Sequence, residues 1–583
     1  MTELTSETST EKQNTYKLTI ADGLFILVGM FAAIMRLTEL SKIPVSAAEA
    51  QEALAVWQFW QPGTAELAIS SPAYFTFTAM LTPILGVSDS VMRLVPALFG
   101  VGLVLLPWLL QKRLSTVGAL ITAVLLTVSP MAAAIARTAG GDSIALFAAL
   151  LLLIAWINGR DSRNGRWFYA AMIALALGLT SSPLFYSALL TMGVAWLGQH
   201  FAAPHLFSDN EEGENWKLET DTVRSGLIIG GILLALISSF FLLSLGNVGA
   251  AASILGDWVQ QFGGSRLLEN IMLPFLAIVR YETALLAIGV VAILWAAWHS
   301  QPLPVFCIYW LLGIILLWLT QPGIITHAAL IMLPLYLLIG AFSGAIIGSH
   351  IGWYSWLFTS GLLVLWAFIV ANSARFLRLM SAGGTEFSHL WLAFFALAII
   401  LTTIFFALNW DTRVTYQGVL LSVLVMLLFY NWGTAWWLSH QAANDPRESW
   451  VNEGTNASIL ILADVIQDLS WKLNTSDMDV HILSTIDTPT LRWYLRQYQN
   501  IEFGKTAPSD TQSNIVITPA EAITTLSESY MGSDYLISNH APTEKPFTRS
   551  PILDTLRWWA FHQSPIIPAQ ERVILWVKLE QTQ

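Results

Sequence analysis

SIALFAALLLLIAWI, from Ser143 to Ile157, is a run of fifteen residues without a charge. A helix needs roughly 20 predominantly apolar residues, within a range of about 17–25, to cross a bilayer. With its flanks this run fills 142–158, and comparable runs lie near 18–36, 89–110, 115–136, 167–181, 183–199, 225–245, 281–299, 303–320, 326–347, 352–371, 390–409 and 417–438. The reading is a polytopic α-helical membrane protein of about thirteen spans. Composition agrees: 55% of the 583 residues are hydrophobic and 11% are charged, against roughly 25% charged in soluble domains. The polar tail 1–17 carries acids as well as bases, so the first run reads as a retained span and not as a cleaved signal.

Beyond residue 440 the apolar runs shorten and charge rises. The chain therefore divides into the tail 1–17, a membrane domain 18–440 and a soluble domain 441–583. The last alternates helical and extended patterns: a helix at 458–473, a strand from Met478, a helix from Pro489 to Tyr498, a strand from Asn514, a further helix, a strand from Tyr535, a helix at 556–562 and a strand from Arg572. That order predicts a small α/β layer. The Trp-bearing helices 491–498 and 556–562 are expected to pack on its sheet, with the membrane surface as the alternative.

Lys112 and Arg113 after the second span, and Arg160, Arg163 and Arg166 after the fourth, mark one side as cytoplasmic. The N-terminus is then inside the plasma (inner) membrane and the C-terminal domain outside. Loop 37–88 is outer, and loop 200–224, with six acids from Asp209 to Asp221, is a solvated inner connector. A net charge of −11 without a dense basic cluster excludes a nucleic-acid footprint. The single cysteine, Cys307, lies in an apolar run and reads as a core residue.

The first outer loop carries SAAEAQEALAVWQFW, Ser46 to Trp60. Ala50, Ala53, Leu54, Trp57 and Trp60 recur at helical spacing and predict a helix lying along the outer membrane surface. Ser46 and Glu49 have the spacing of a capping box, so Glu49 is either a cap or a general base at a cavity mouth. Glu52, one turn on, shares that face. Asp142, after Gly140 and Gly141, is either the N-cap of the following helix or a second acid. Arg137 either snorkels to headgroups or holds a lipid phosphate, and Arg266, Arg280, Arg375 and Arg378 are weaker candidates for that part. His327, opening a span, is a structural residue or a phosphate ligand.

The order of these parts resembles the GT-C glycosyltransferases, in particular the protein-mannosyltransferase-like and aminoarabinose-transferase-like branch. RLVPALFG at Arg93–Gly100, SPMAAAIARTAGGDS at Ser129–Ser143, HAALIMLPLYLLIG at His327–Gly340, and the C-terminal LRWYLRQY and RVILWVKL carry the resemblance. It implies transfer of a sugar from a polyprenyl-phosphate-linked donor to an envelope lipid, glycan or protein. Glu49 would be the base, Asp142 its assistant, and Arg137, His327 and Glu52 the substrate and phosphate contacts. That family's first loop usually has an Asp-Glu pair, which can share a divalent metal; here the pair is Ala48 and Glu49. No other cofactor is called for. A non-catalytic descendant with a binding or assembly role is the alternative. A transporter would place charged residues deep in the spans, where they are sparse. No Walker A string, HExxH or Cys/His cluster is present.

Overall fold

The computed structural model describes residues 19–62, 67–202, 219–243, 246–264, 267–348, 351–381, 388–409, 411–451, 453–474, 480–508, 511–522, 526, 530–540, 552–562 and 567–578. The tail 1–17, most of the acidic loop and Arg266 lie outside them.

Among the described residues up to His440, every regular element is a helix. Among the described residues nine helices are long and apolar enough to cross a membrane, or ten if the pair Asn270–Tyr281 and Leu286–His299, bent by 105°, is one span. This count stops short of thirteen. The expected runs 89–110 and 115–136 fall in one helical stretch, Asp89–Val128, broken at Ser115 (φ 64°). Arg166–Leu179 is apolar but has only 14 residues. The helix Thr326–Ile347 is the centre of the bundle, with 89% of its apolar window buried. Its backbone meets the helix Gln111–Val128 directly: a Cβ on Gly118 would stand 2.5 Å from the Gly340 carbonyl oxygen, and one on Gly340 2.0 Å from Thr122 Oγ1. Small residues replace side-chain interdigitation there, as expected where no hydrophobic force drives helices together in lipid.

Two buried arginines close helix ends. Arg36, 0% exposed, donates to the carbonyls of Leu126 (2.8 Å) and Thr127 (3.3 Å), the orphan acceptors that end Gln111–Val128. Arg137, which ends the short helix Pro130–Ala136, does the same for Ile20–Leu37 through Arg36 O (3.3 Å), Thr38 O (2.5 Å) and Glu39 O (3.1 Å).

The C-terminal region forms a six-stranded mixed sheet. Its strands are β1 (Glu453–Thr455), β2 (Ile482–Ser484), β3 (Ile501–Phe503), β4 (Ile515–Pro519), β5 (Tyr530–His540) and β6 (Ala569–Lys578), in the order β1-β5-β6-β4-β2-β3. β2 runs parallel to both β3 and β4, and the other pairs are antiparallel. The helix Ser458–Asn474 packs Leu462 and Ile466 onto Ile482, Ile515, Ile517, Val573 and Leu575. In place of the helix expected after β4, residues 520–522 form a turn, and most of the chain between this turn and β5 lies outside the described residues.

Both Trp-bearing helices also touch the membrane bundle. In Pro489–Tyr494, Leu491 belongs to the sheet core, whereas Trp493, 0% exposed, belongs to the bundle core. Trp493 Nε1 and Tyr494 OH donate to the two carboxylate oxygens of Asp89, at 2.7 and 2.9 Å. In Ile552–Phe561, Trp558 joins the bundle core and Trp559 Nε1 donates to Val279 O at 3.2 Å.

Candidate functional site at the bundle rim

Ser46 opens the helix Ala47–Phe59 in extended conformation, and the capping box is complete. Ser46 Oγ accepts from Glu49 N at 3.3 Å, and Glu49 Oε2 accepts from Ser46 N at 2.9 Å. The helix does not lie on lipid. Every residue from Glu49 to Val56 except the exposed Gln51 is buried, because the helix Pro489–Tyr494 packs over it from the soluble domain.

Glu49 does more than cap. Arg93 grips it with two nitrogens, Nε to Oε1 at 2.8 Å and Nη2 to Oε2 at 2.7 Å, and Ala139 N donates to Oε1 at 2.9 Å. Arg93 also donates to the carbonyls of Leu40, Ile43 and Pro44. Two donors meet each oxygen, so the carboxylate has no lone pair aimed at a substrate. Burial opposes its ionisation, but Arg93 and the two amides outweigh burial and hold its carboxyl below the usual range.

Glu52 is held in the opposite way. It is 8% exposed, Ser70 hydrogen-bonds it, and Oε2 has no partner. Burial, with the neighbouring charge of Asp142 adding to it, pushes its carboxyl up to about 7. Ser70 itself is exposed, so Glu52 lies one residue beneath the surface. Asp142 is half-buried beside Ser182, and burial raises its carboxyl above the usual range. It is the first residue of the helix Asp142–Ser162; the cap is Gly141, without a side-chain bond, so the N-cap expected of Asp142 is corrected by one residue. Gly141 is where three loops converge: a Cβ there would fall 2.1 Å from Ser181 O and 2.4 Å from Ser71 Oγ.

Beside this pair a cavity of about 350 Å³ opens between the bundle and the soluble domain. Ala48, Glu49, Arg93, Arg137, Asn444 and Trp450 are among its lining residues, and Asp142, Glu52 and His327 are not. Arg137 presents a charge there and spends four of its five N–H donors on the three carbonyls above and on Ser439 O (3.1 Å). Burial, with Arg93 nearby, lowers it to about 10, which leaves it cationic at neutral pH.

Residues 70–207 match the family described as dolichyl-phosphate-mannose-protein mannosyltransferase. Among solved structures, ArnT from Cupriavidus metallidurans bound to undecaprenyl phosphate is similar with a TM-score of 0.53 and 16% identity, over 82% of this chain and 86% of that one. The apo state of ArnT from the same organism gives 0.50 and 15%, over 83% and 86%. The fold is of the GT-C type. No curated protein matches the chain.

Within this GT-C fold the five acids and bases singled out from the sequence do not form one cluster. Glu49 and Arg137 share the cavity, Glu52 and Asp142 share the adjoining buried pair, and His327 stands apart, 1% exposed with neither ring nitrogen hydrogen-bonded. The residues present do not fit a divalent metal. Glu49 has no free oxygen, position 48 is Ala, and among the described residues no three His, Cys, Asp or Glu side chains group together. The sequence reading passed over Arg93, although it opens RLVPALFG. Its signal was an arginine five residues into an apolar helix, where an unpaired charge is not tolerated. It also missed Glu282, 0% exposed, whose oxygens accept from Ser129 Oγ (2.5 Å), Met131 N (3.3 Å) and Tyr336 OH.

Proposed function

We propose that the chain is a membrane glycosyltransferase that moves a sugar from a polyprenyl-phosphate-linked donor to an envelope acceptor at the outer face of the plasma membrane, with its N-terminus cytoplasmic and its C-terminal domain outside. The GT-C fold supports this reading, and so does the undecaprenyl phosphate held by the similar ArnT structure. The observation that carries it is Glu52: a carboxyl with one unpartnered oxygen and a pKa of about 7, just beneath the rim. A group poised near neutral pH can take a proton from an acceptor hydroxyl and release it again. Burial keeps that proton affinity high, and the charge of Asp142 beside it adds to the effect. Arg137 stabilises the departing phosphate mainly by charge, since four of its five N–H donors are taken. Glu49 and Arg93 hold the rim helix and the loop before Asp142 in place. His327, 1% exposed within the bundle's central helix, has no step.

The test is transfer from labelled polyprenyl-phosphate sugars by the protein purified into lipid nanodiscs. Glu52→Gln is expected to lower turnover by about 10²-fold or more, with the protein still folded. Equal turnover in wild type and Glu52→Gln rejects Glu52 as the base.

One observation favours a second reading. Ala47 and Ala48, which line the cavity from the start of the rim helix, have no group to move a proton, and Glu49 beside them is fully bonded. A non-catalytic GT-C protein that binds lipid-linked sugar predicts saturable binding without turnover in the same nanodiscs.

A further inference from the structure

The two walls of the rim cavity are anchored to adjacent residues of one bend in the chain. Trp450 and Val451 form part of the wall that leads into the soluble domain, and Ala134, Arg137 and Thr138 part of the wall that belongs to the bundle. The helices Leu268–Tyr281 and Thr283–His299 meet at Glu282, and the three residues at that junction point both ways.

Arg280 and Tyr281 hold the first wall. Arg280 pairs with Glu448 at 3.3 Å, both side chains being 3% exposed, and donates to Ser449 Oγ at 3.3 Å. Tyr281 OH donates to Glu448 Oε2 at 2.9 Å and accepts from Trp450 N at 3.4 Å. Trp558 closes this side, its Nε1 donating to Glu448 Oε1 at 3.1 Å while its ring lies 4.2 Å from the Arg280 guanidinium. Glu282 holds the second wall. It takes Ser129 Oγ and Met131 N, at the start of the seven-residue helix Pro130–Ala136 whose other end carries Arg137 and Thr138. Tyr336 OH fixes its second oxygen to the bundle's central helix.

We infer that the junction Arg280-Tyr281-Glu282 sets the width of the rim cavity, with Tyr281 and Glu282 as positioning residues for whatever binds there. A rigid short helix transmits a shift at Met131 to Arg137, and a hydrogen bond to a backbone amide transmits a shift at Tyr281 to Trp450. Neither residue lines the cavity, so each acts through the wall that it holds. Calling them positioning residues for catalysis rests on the transferase reading; the width itself does not.

The width can be read without turnover. Ala48 is exposed in the cavity, and the chain's single cysteine, Cys307, is 0% exposed, so Ala48→Cys provides one reactive thiol. Its alkylation rate is measured in nanodiscs with a small methanethiosulfonate and with a bulky maleimide-dextran, alone and with Tyr281→Phe or Glu282→Gln added. Each variant removes or weakens the hold on one wall while keeping its shape. The bulky-to-small rate ratio is expected to rise roughly fivefold, the equivalent of one net hydrogen bond lost from a wall. Ile314→Ala, a core truncation in the remote helix Pro302–Thr320, lowers the melting temperature without moving the ratio. An unchanged ratio in both junction variants, or the same rise in Ile314→Ala, overturns the inference. Loss of transfer with an unchanged ratio would count against the junction alone, and a changed ratio in a protein that never transfers would count against the transferase reading alone.

Discussion

Glu49 and Glu52 lie one turn apart on a single helix, and their surroundings shift their carboxyls in opposite directions. Glu49, gripped by Arg93, stays ionised; removing the guanidinium strands a buried anion. Arg93→Ala is expected to cost about 3–5 kcal/mol, read as a fall in melting temperature in detergent, and adding Glu49→Gln should recover part of it. Glu52 behaves in reverse. Its folded pKa, about 7, is above the usual 4.5, so the folded state keeps a proton that the unfolded chain has lost. Its contribution to stability is complete below pH 4.5 and is lost as pH rises towards and through 7. Glu52→Gln should match wild type below pH 4.5 and exceed it above 7 by roughly 3 kcal/mol. Melting curves at pH 4 and pH 8 check this, and a wild type no more pH-sensitive than the variant would remove the basis for Glu52 as an acid–base group.

The loop from Arg137 to Asp142 runs past both carboxylates, and its position depends on a side chain that is missing. Gly141→Ala would drive a Cβ against the Ser181 carbonyl oxygen, which cannot step aside as a side chain could. It should destabilise by about 1–3 kcal/mol, whereas Gly140→Ala, with nothing within 4 Å, should be tolerated; paired thermal melts decide. Elements of this kind were legible in the sequence to different depths. Long apolar runs announced helices such as Thr326–Ile347 because length and composition are local signals. The rim helix was legible down to its capping box, but its cover was not, since the covering Trp493 comes more than 400 residues later. β1 and β3 have three residues each, too few for an alternation to show, and β5 opens with YMGSD, where no apolar alternation marks the strand. The ion pairs Arg93–Glu49 and Arg280–Glu448 were hidden for the same reason as the roof: each joins segments remote in the chain.

On the scale of the molecule, two of the fastenings between the soluble domain and the bundle are Asp89 with Trp493 and Tyr494, and Glu448 with Arg280, Tyr281 and Trp558. Asp89→Ala leaves an indole N–H and a phenol without their acceptor at one of them, costing about 1–3 kcal/mol locally. Amide exchange in the helix Pro489–Tyr494 and the rim helix should then quicken while exchange in Thr326–Ile347 stays slow; equal quickening in all three would show one indivisible unit. The backbone contact between Gly118 and Gly340 has a consequence for how such a chain is made. Its partners are 222 residues apart, so the groove at Gly118 stays open to lipid until the ribosome has passed residue 340. The bundle's middle is completed late in synthesis, and the helix Gln111–Val128 waits until then on a partner not yet translated. Chains arrested before Thr326 should be cleared rapidly by membrane proteases, and supplying 301–583 as a separate polypeptide should protect 1–300 from that fate.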